Sequence, residues 1–283
     1  MGKVTFHKPG LYTSIQDLGR FGYRHLGVPV SGTMDQERSA MANLLVNNEP
    51  NNPIIEVTML GPELTFSEPA SISICGADIS PNVNDAPISL NKAHHINAGD
   101  KLVFGKLKYG LRCYIAIHGL KSDKVLGSAS QYSGVTQKPR IEMGDSFKYK
   151  TLKIAASKFA SVQFDQSWID DLYFDCFIGS EYHLLRPKMR QVILNQNLTI
   201  ELNDRMGYQF APQASLQNEL SITTSNTLPG TVQLTPSGKL IVLMRDGQVT
   251  GGYPRVLQLS EASINKLSQQ TSGKSIRFRV MEK

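Results

Sequence analysis

The stretch Leu228-Pro229-Gly230-Thr231-Val232-Gln233-Leu234-Thr235-Pro236-Ser237-Gly238-Lys239-Leu240-Ile241-Val242-Leu243-Met244-Arg245-Asp246-Gly247-Gln248-Val249-Thr250-Gly251-Gly252-Tyr253-Pro254-Arg255-Val256-Leu257 decides the fold. Two short apolar runs, Thr231–Leu234 and Leu240–Met244, flank Pro236-Ser237-Gly238. Such a turn between such runs reads as a β-hairpin, because proline presets a turn dihedral and glycine accepts a positive φ. Asp246-Gly247 after Met244 is a second turn signal. Thr250-Gly251-Gly252-Tyr253-Pro254 follows within a few residues. Paired glycines let backbone N–H groups approach a ligand or anion closely. Asp246 has the chemistry to orient a donor, take a proton or hold Mg2+. The plainer alternative is a hairpin with a glycine-rich bulge in which Asp246 only forms the turn, and spacing alone favours it.

The same punctuation runs along the whole chain. Its 23 Gly and 14 Pro separate short alternating or apolar runs, which predicts a mainly β protein with few helices. Expected strands are Val4–His7, Ile54–Val57, Glu63–Phe66, Ala70–Ile74, Lys101–Phe104, Arg112–His118 and Phe147–Tyr149. Further on they are Leu152–Ala155, Tyr173–Ile178, Tyr182–Leu185, Thr199–Glu201, Ser221–Thr223, Thr231–Leu234, Leu240–Met244 and Ile276–Val280. Two helices are expected. One runs from Asp35, its N-cap, to Val46, with Ala40, Met41, Leu44 and Leu45 as the apolar stripe; the other runs from Ser260 to Gln269.

A length of 283 residues suggests one large or two modest domains. A boundary is placed in the polar stretch that leads to the single Trp168, giving domains 1–150 and 151–283 whose segments can interleave. Asp17-Leu18-Gly19-Arg20-Phe21-Gly22-Tyr23 faintly echoes Asp204-Arg205-Met206-Gly207-Tyr208, which leaves duplication open. The longest strongly apolar run, Leu240–Met244, is far short of the ~18 residues of a membrane span, and the start has no signal-peptide core. A soluble cytoplasmic protein is expected. Cys75, Cys113 and Cys176 are widely spaced in apolar surroundings, so buried inert thiols are expected rather than disulfides or zinc ligands. The net charge of +6 comes from scattered basic residues with no aromatic-basic pattern. Nucleic acid is therefore not the expected partner; a phosphate-bearing ligand or an acidic partner subunit explains the charge more simply.

Several chemistries are excluded by their missing signatures. Gly127-Ser128-Ala129-Ser130-Gln131 fails the nucleophile elbow at its last position. His94 and His95 are adjacent, so on a strand they point to opposite faces and cannot chelate one metal. Ser268-Gln269-Gln270-Thr271-Ser272-Gly273-Lys274-Ser275 ends like a phosphate-binding loop but lacks the first glycine, and it lies between an expected helix and an expected strand, the reverse of the required order. It reads as a helix-to-strand turn. The segment Gly10–Asp35 is more informative. After an extended start it holds Gln16, Asp17, Arg20, Arg24 and His25 among several glycines, the composition of a functional loop. An ordered surface loop with Asp17 paired to Arg20 is its plainer reading.

These segments carry a resemblance. Gln16-Asp17-x-Gly19-Arg20-x-Gly22, Ser31-Gly32-x-Met34-Asp35, Ala42-Asn43-x-Leu45-Val46-x-Asn48, Glu56-Val57-Thr58 with Gly61-Pro62, Gly76-Ala77-Asp78 and Leu126-Gly127-Ser128 stand in the order of one family. So do Asp204-Arg205-Met206-Gly207, Pro229-Gly230-Thr231-Val232-Gln233 and Asp246-x-Gln248-x-Thr250-Gly251-Gly252-Tyr253-Pro254. Nearly end to end, the chain resembles the C subunits of the bacterial ATP-dependent 5-oxoprolinases, the allophanate hydrolase subunit 2 family. It departs where many relatives have Gly-Gly, here Gly119-Leu120, and where Ser-Glu is usual, here Ser225-Asn226.

The resemblance implies two cyclophilin-like β-barrel domains. It implies a subunit, inactive alone, that helps to phosphorylate and cleave 5-oxoproline to glutamate. The partners implied are a sister subunit of the allophanate hydrolase subunit 1 type and a ring-opening subunit, with ATP and Mg2+ shared among them. It implies Arg20, Arg205 and Asp246 as catalytic residues. Asp17, Gln16, Ser128, Gln233, Thr250, Gly251, Gly252, Tyr253 and Arg255 are the implied substrate- or nucleotide-binding residues. Arg20, Arg205 and Arg255 are the candidate phosphate clamps, and Arg20 and Asp246 are expected to share a site. Two alternatives remain. One is the carboxyltransferase part of a biotin-dependent urea carboxylase, with biotin arriving on a partner because this chain has no Met-Lys-Met motif. The other is a non-enzymatic antagonist of a histidine-kinase inhibitor.

Overall fold

Val4 and Phe6 are buried while Lys3 and His7 are exposed, the period-2 alternation of a strand with one face in a core. This pattern, repeated along the chain, yields a mainly β protein with three α-helices among the described residues. The computed structural model describes residues 1–151, 169–211 and 214–281. It divides into two units: Met1–Arg20 with Ser31–Gln166, and Phe21–Val30 with Ser167–Lys283. Residues 21–30, placed in the first half by the sequence, therefore sort with the second unit.

In the first unit one sheet runs Ser146–Tyr149, Gly2–Lys8, Glu63–Phe66, Lys101–Phe104, Pro81–Val83 and Ala86–Pro87. The other runs Tyr12–Gln16, Ile54–Thr58, Tyr109–Ile117, Ala70–Asp78 and Ala93–Ile96. Both sheets contribute to one apolar core, which includes Val4, Phe6, Leu64 and Phe66 from the first and Ile15, Ile55, Ile74 and Ile115 from the second. The central strand Tyr109–Ile117 is buried on both faces. Cys113, Ile115 and Ile117 enter the shared core, whereas Tyr114 and Ala116 pack with Ala42 and Leu45 of helix α1, Gln36–Leu45. That explains its unbroken apolar reading.

Helix α1 is capped as expected, with the Asp35 side chain accepting from the Arg38 N–H at 3.1 Å. Its buried face differs from the predicted one. Ser39, Ala42, Asn43 and Leu45 are buried, while Leu44 is exposed. The polar members are satisfied there: Asn43 Nδ2 donates to Asn52 O at 2.9 Å, and Ser39 Oγ lies 2.8 Å from Thr33 Oγ1.

The second unit is a closed seven-stranded barrel in the order Tyr173–Ile178, Arg255–Leu259, Thr231–Leu234, Leu240–Leu243, Gly207–Phe210, Leu198–Asn203 and Ser275–Val280. The parallel pairing of Tyr173–Ile178 with Ser275–Val280 closes it. Phe210 and Phe278 meet edge to face at 6.0 Å in its core. Helices α2, Pro187–Asn195, and α3, Glu261–Leu267, accompany the barrel. Helix α3 opens at Ser260, whose side chain caps Ser263 N–H at 3.2 Å. No helix among the described residues is long and apolar enough to cross a membrane.

The decisive hairpin forms as read: Thr231–Leu234 pairs antiparallel with Leu240–Leu243 around Gly238, at φ 81°. The phosphate-loop look-alike is the turn between α3 and the last strand, as its order required. Other expectations change. Asp246-Gly247 closes no hairpin; it links barrel strands that both pair with Thr231–Leu234. Tyr182–Leu185 is a 3-10 turn over Tyr182–Leu184. Ser221–Thr223 is irregular, and the next residues, Ser225–Asn226, make a two-stranded ribbon with Thr250–Gly251. Strands Ala93–Ile96, Gly207–Phe210 and Arg255–Leu259, and helix α2, have too few contiguous apolar residues to stand out; Pro187 at the first turn was the available helix signal. Leu152–Ala155 and Trp168 lie outside the described residues.

Candidate functional site

In each unit a group of the sequence-nominated residues comes together. In the first unit, strand Tyr12–Gln16 delivers Asp17 to the loop Leu126–Gln131. Asp17 is 2% exposed. Its Oδ1 accepts from Ser128 Oγ at 2.6 Å, Ser130 Oγ at 2.7 Å and Gly19 N at 2.9 Å, and its Oδ2 accepts from Ala129 N at 2.7 Å. A buried carboxylate is tolerable when donors replace its water in this way. The Arg20 guanidinium is fully buried; its Nε donates to Val125 O at 3.1 Å and its Nη2 to Ser130 O at 2.8 Å. Gln16 Nε2 donates to Gln131 O at 3.2 Å.

Gln16, Asp17, Arg20 and Ser128 are thus brought together, with Ser130 as a member that the motif reading passed over. They form a buried lock between two loops. Val125, Ala129 and Gln131 line a cleft of about 760 Å³ together with Lys121, Lys138 and Lys148. Of these lysines, Lys138 is held by Asp145 and Glu142.

In the second unit the barrel strand Leu240–Leu243 delivers Arg245 and Asp246 to the glycine-rich turn. Asp246 is 5% and Arg205 7% exposed. Arg205 Nε donates to Asp246 Oδ2 at 2.7 Å and Nη2 donates to Oδ1 at 3.2 Å, while Asp246 N donates to Arg205 O at 2.9 Å. Both carboxylate oxygens therefore face a cation of the same chain. Arg255 is held in the same manner by Glu181, with Nη2 2.6 Å from Oε1 and Nε 2.9 Å from Oε2. Those bonds to Arg255 hold the Glu181 carboxyl below the usual glutamate range. Arg245 pairs with Glu261.

The exposed part of this region is the turn beyond the pair. Gln248, Thr250 and Tyr253 are exposed, and Gly251 and Gly252 half-buried. Gln248 Nε2 donates to Oε1 of buried Gln233 at 3.2 Å. Gly251 leaves room for this contact, because a Cβ there would sit 2.4 Å from Gln233 Nε2 and the carboxamide would have to shift. Thr227 binds the other side of the turn: its N–H donates to Val249 O at 3.1 Å and its hydroxyl to Gln248 O. Gln248, Thr227 and Glu181 were not singled out in the sequence; Gln248 stood inside the quoted motif, whereas the other two carried no local signal.

The remaining candidates have settled roles. Burial pushes the Cys75 and Cys176 thiols up to about 12 and Cys113 higher still, so none is a nucleophile at neutral pH. His94 Nε2 lies 2.7 Å from Ser89 O. Among the described residues no group of three or more His, Cys, Asp or Glu has metal-binding geometry. Asp246, the nominated Mg2+ ligand, has both oxygens on Arg205, and Arg205 and Arg255 already bind carboxylates. The described residues of this turn do not fit a Mg2+-phosphate centre of their own.

Comparison with known proteins agrees with this architecture. The family described as carboxyltransferase domain, subdomain A and B, matches residues 26–280. The chain is 30% identical over 276 residues to the 5-oxoprolinase C subunit of Haemophilus influenzae, covering 95% of this chain and 88% of that protein. It is 29% identical to the 5-oxoprolinase C subunit of Escherichia coli, covering 96% and 89%. Urea amidolyase of Lachancea kluyveri is 28% identical over 95% of this chain, which spans 16% of that protein. Among solved structures, TTHA0988 superposes with a TM-score of 0.88 at 23% identity over 99% of this chain, which spans 55% of that one. The Kluyveromyces lactis urea carboxylase gives 0.86 at 24% identity, over 99% and 27%. The chain thus spans about half, or less, of the solved chains that share its fold.

Proposed function

This chain belongs to the carboxyltransferase domain, subdomain A and B, family, and on that premise we propose that it is the C subunit of an ATP-dependent 5-oxoprolinase. The observation that carries this reading is the extent of the match. It takes in 88% and 89% of two 5-oxoprolinase C subunits but 16% of a urea amidolyase. The subunit acts with a sister subunit of the allophanate hydrolase subunit 1 type and a ring-opening subunit, and is inactive alone.

A lactam is stabilised by amide resonance and its five-membered ring closes readily, so opening it needs a driving force. Phosphorylation of the amide oxygen by ATP supplies that force. ATP and Mg2+ sit mainly on the partner subunits, since Asp246, Glu261 and Glu181 beside this turn are each already paired with an arginine of this chain. What this chain provides is orientation. A lactam presents N–H and C=O on one edge. The exposed Gln248 carboxamide keeps an acceptor oxygen and a second N–H after its bond to Gln233, the complement of that edge. Thr250 adds a hydroxyl beside it. Asp246 and Arg205 hold the turn in register from beneath, so their contribution is positional.

The test is ATP hydrolysis by the chain co-purified with both partner subunits, with and without 5-oxoproline and with urea as control. ATP turnover and glutamate release that need 5-oxoproline are expected. A stable complex that turns over nothing with 5-oxoproline overturns the reading. Turnover dependent on urea and bicarbonate instead would assign the chain to the carboxylase branch that its 28% identity with urea amidolyase represents.

A further inference from the structure

Four arginines surround the glycine-rich turn, and they are not equivalent. Arg205, Arg245 and Arg255 each bind a carboxylate of the chain, Asp246, Glu261 and Glu181 respectively. Arg24 binds none. It comes from the segment Phe21–Val30, which belongs to the second unit. There it opens the 3-10 turn Arg24–Leu26, closed by Gly27 at φ 80° with Gly27 N donating to Arg24 O at 2.9 Å. Its Nη2 donates to Thr227 O and, at 3.4 Å, to Val249 O. These are neutral acceptors, and among the described residues they are the only hydrogen-bond partners of its side chain. The guanidinium keeps its full charge, with the N–H groups of Nε and Nη1 still to be used.

Its position matters as much as its charge. Val249 stands between Gln248 and Thr250, and Thr227 binds Gln248 O and Val249 O itself. Arg24 is therefore anchored at the backbone of the turn that presents the exposed Gln248 carboxamide. Burial lowers its pKa, the mark of a cation that has lost water without gaining a counter-ion. A half-buried charge of this kind gains most from an anion brought by a ligand, because the desolvation is already spent.

We propose that Arg24 recognises the carboxylate of the lactam substrate while the Gln248 carboxamide takes the lactam edge. The proposal rests on the 5-oxoprolinase reading and deepens it: Arg24 is the residue by which this turn separates a carboxylated lactam from a neutral amide such as urea. A phosphate would satisfy the same cation, and the test separates the two anions.

Binding of 5-oxoproline, 2-pyrrolidinone (the same ring without the carboxylate) and ATP is measured by calorimetry on the reconstituted complex, for wild type, Arg24→Gln and Arg24→Lys. Wild type is expected to hold 5-oxoproline about 10–100-fold more tightly than 2-pyrrolidinone, the range of a charge-assisted bond. Arg24→Gln should erase that difference and leave 2-pyrrolidinone and ATP unchanged, while Arg24→Lys, which keeps the charge, should restore part of it. An Arg24→Gln complex that still prefers 5-oxoproline overturns the proposal. So does one that weakens all three ligands alike, which would make Arg24 a structural clamp, or one that loses ATP alone, which would make it a phosphate contact. Failure of wild type to bind either lactam would remove the 5-oxoprolinase reading itself.

Discussion

Asp246→Ala is the substitution on which a catalytic and a structural role predict different things. The Asp246 and Arg205 side chains are 6% and 8% exposed, and Arg205 Nε and Nη2 both donate to the Asp246 carboxylate. Removing Asp246 leaves a buried charge without that carboxylate, which costs about 3–5 kcal/mol. At about 2–4 °C per kcal/mol for a domain of this size, the melting temperature should fall by roughly 10 °C. Arg205→Met alone strands the carboxylate and should cost a similar amount. The double variant Arg205→Met/Asp246→Ala removes both charges and should cost no more than either single change, giving a coupling of about 3 kcal/mol or more in the thermodynamic cycle. The assay is thermal and urea unfolding of the four proteins, followed by 5-oxoproline-dependent ATP turnover in the complex. A structural role predicts that activity tracks folded protein. If Asp246→Ala melts with wild type and activity still vanishes, the pair is not holding the turn and Asp246 acts on a ligand directly.

Three other outcomes follow from the geometry. Asp17→Asn replaces one acceptor oxygen by an NH2 group that faces donors, among them Ser128, Ser130 and Ala129; it should cost about 2–3 kcal/mol, seen as a lower urea midpoint with an unchanged slope. Gly251→Ala should disturb the Gln233–Gln248 contact and raise KM, because its Cβ would lie 2.4 Å from Gln233 Nε2, whereas Gly252→Ala has Ile222 O 3.6 Å away and should leave KM unchanged. The folded-state pKa of Glu181 is lowered by Arg255. Its contribution to stability is therefore complete above the ordinary glutamate value of about 4.3 and is lost as pH falls through the lower folded value. Glu181→Gln should flatten the acid limb of stability below about pH 4.3, as read by urea midpoints against pH.

Residues within one element, or flanking it, made much of the fold legible. Glu63–Phe66, Lys101–Phe104, Tyr173–Ile178 and Thr231–Leu234 form with the boundaries their alternation predicted. Asp35 and Ser260 cap the helices they were assigned, and Gly238 turns the hairpin. Strand Arg255–Leu259 was hidden because it directly follows the glycine-rich turn, and the helix α1 face was misjudged because buried Ser39 and Asn43 owe their burial to Thr33 and Asn52 rather than to apolarity.

The candidate site divides along the same line. The motifs around Asp17 and Asp246 nominated segments that fold into tightly hydrogen-bonded loops, because glycines and charges concentrated in a short loop are visible locally. What each charge does was decided only by tertiary structure. Asp17 meets Ser128 and Ser130 across more than a hundred residues, Arg205 meets Asp246 across 41, and Arg255 meets Glu181 across 74. Arg24 reaches Thr227 across 203 residues and finds no carboxylate there. Local sequence determines backbone geometry because dihedral preference and hydrophobic alternation act between near neighbours. Whether a buried charge is paired, and so whether it can meet a ligand, depends on which distant group the fold sets opposite it.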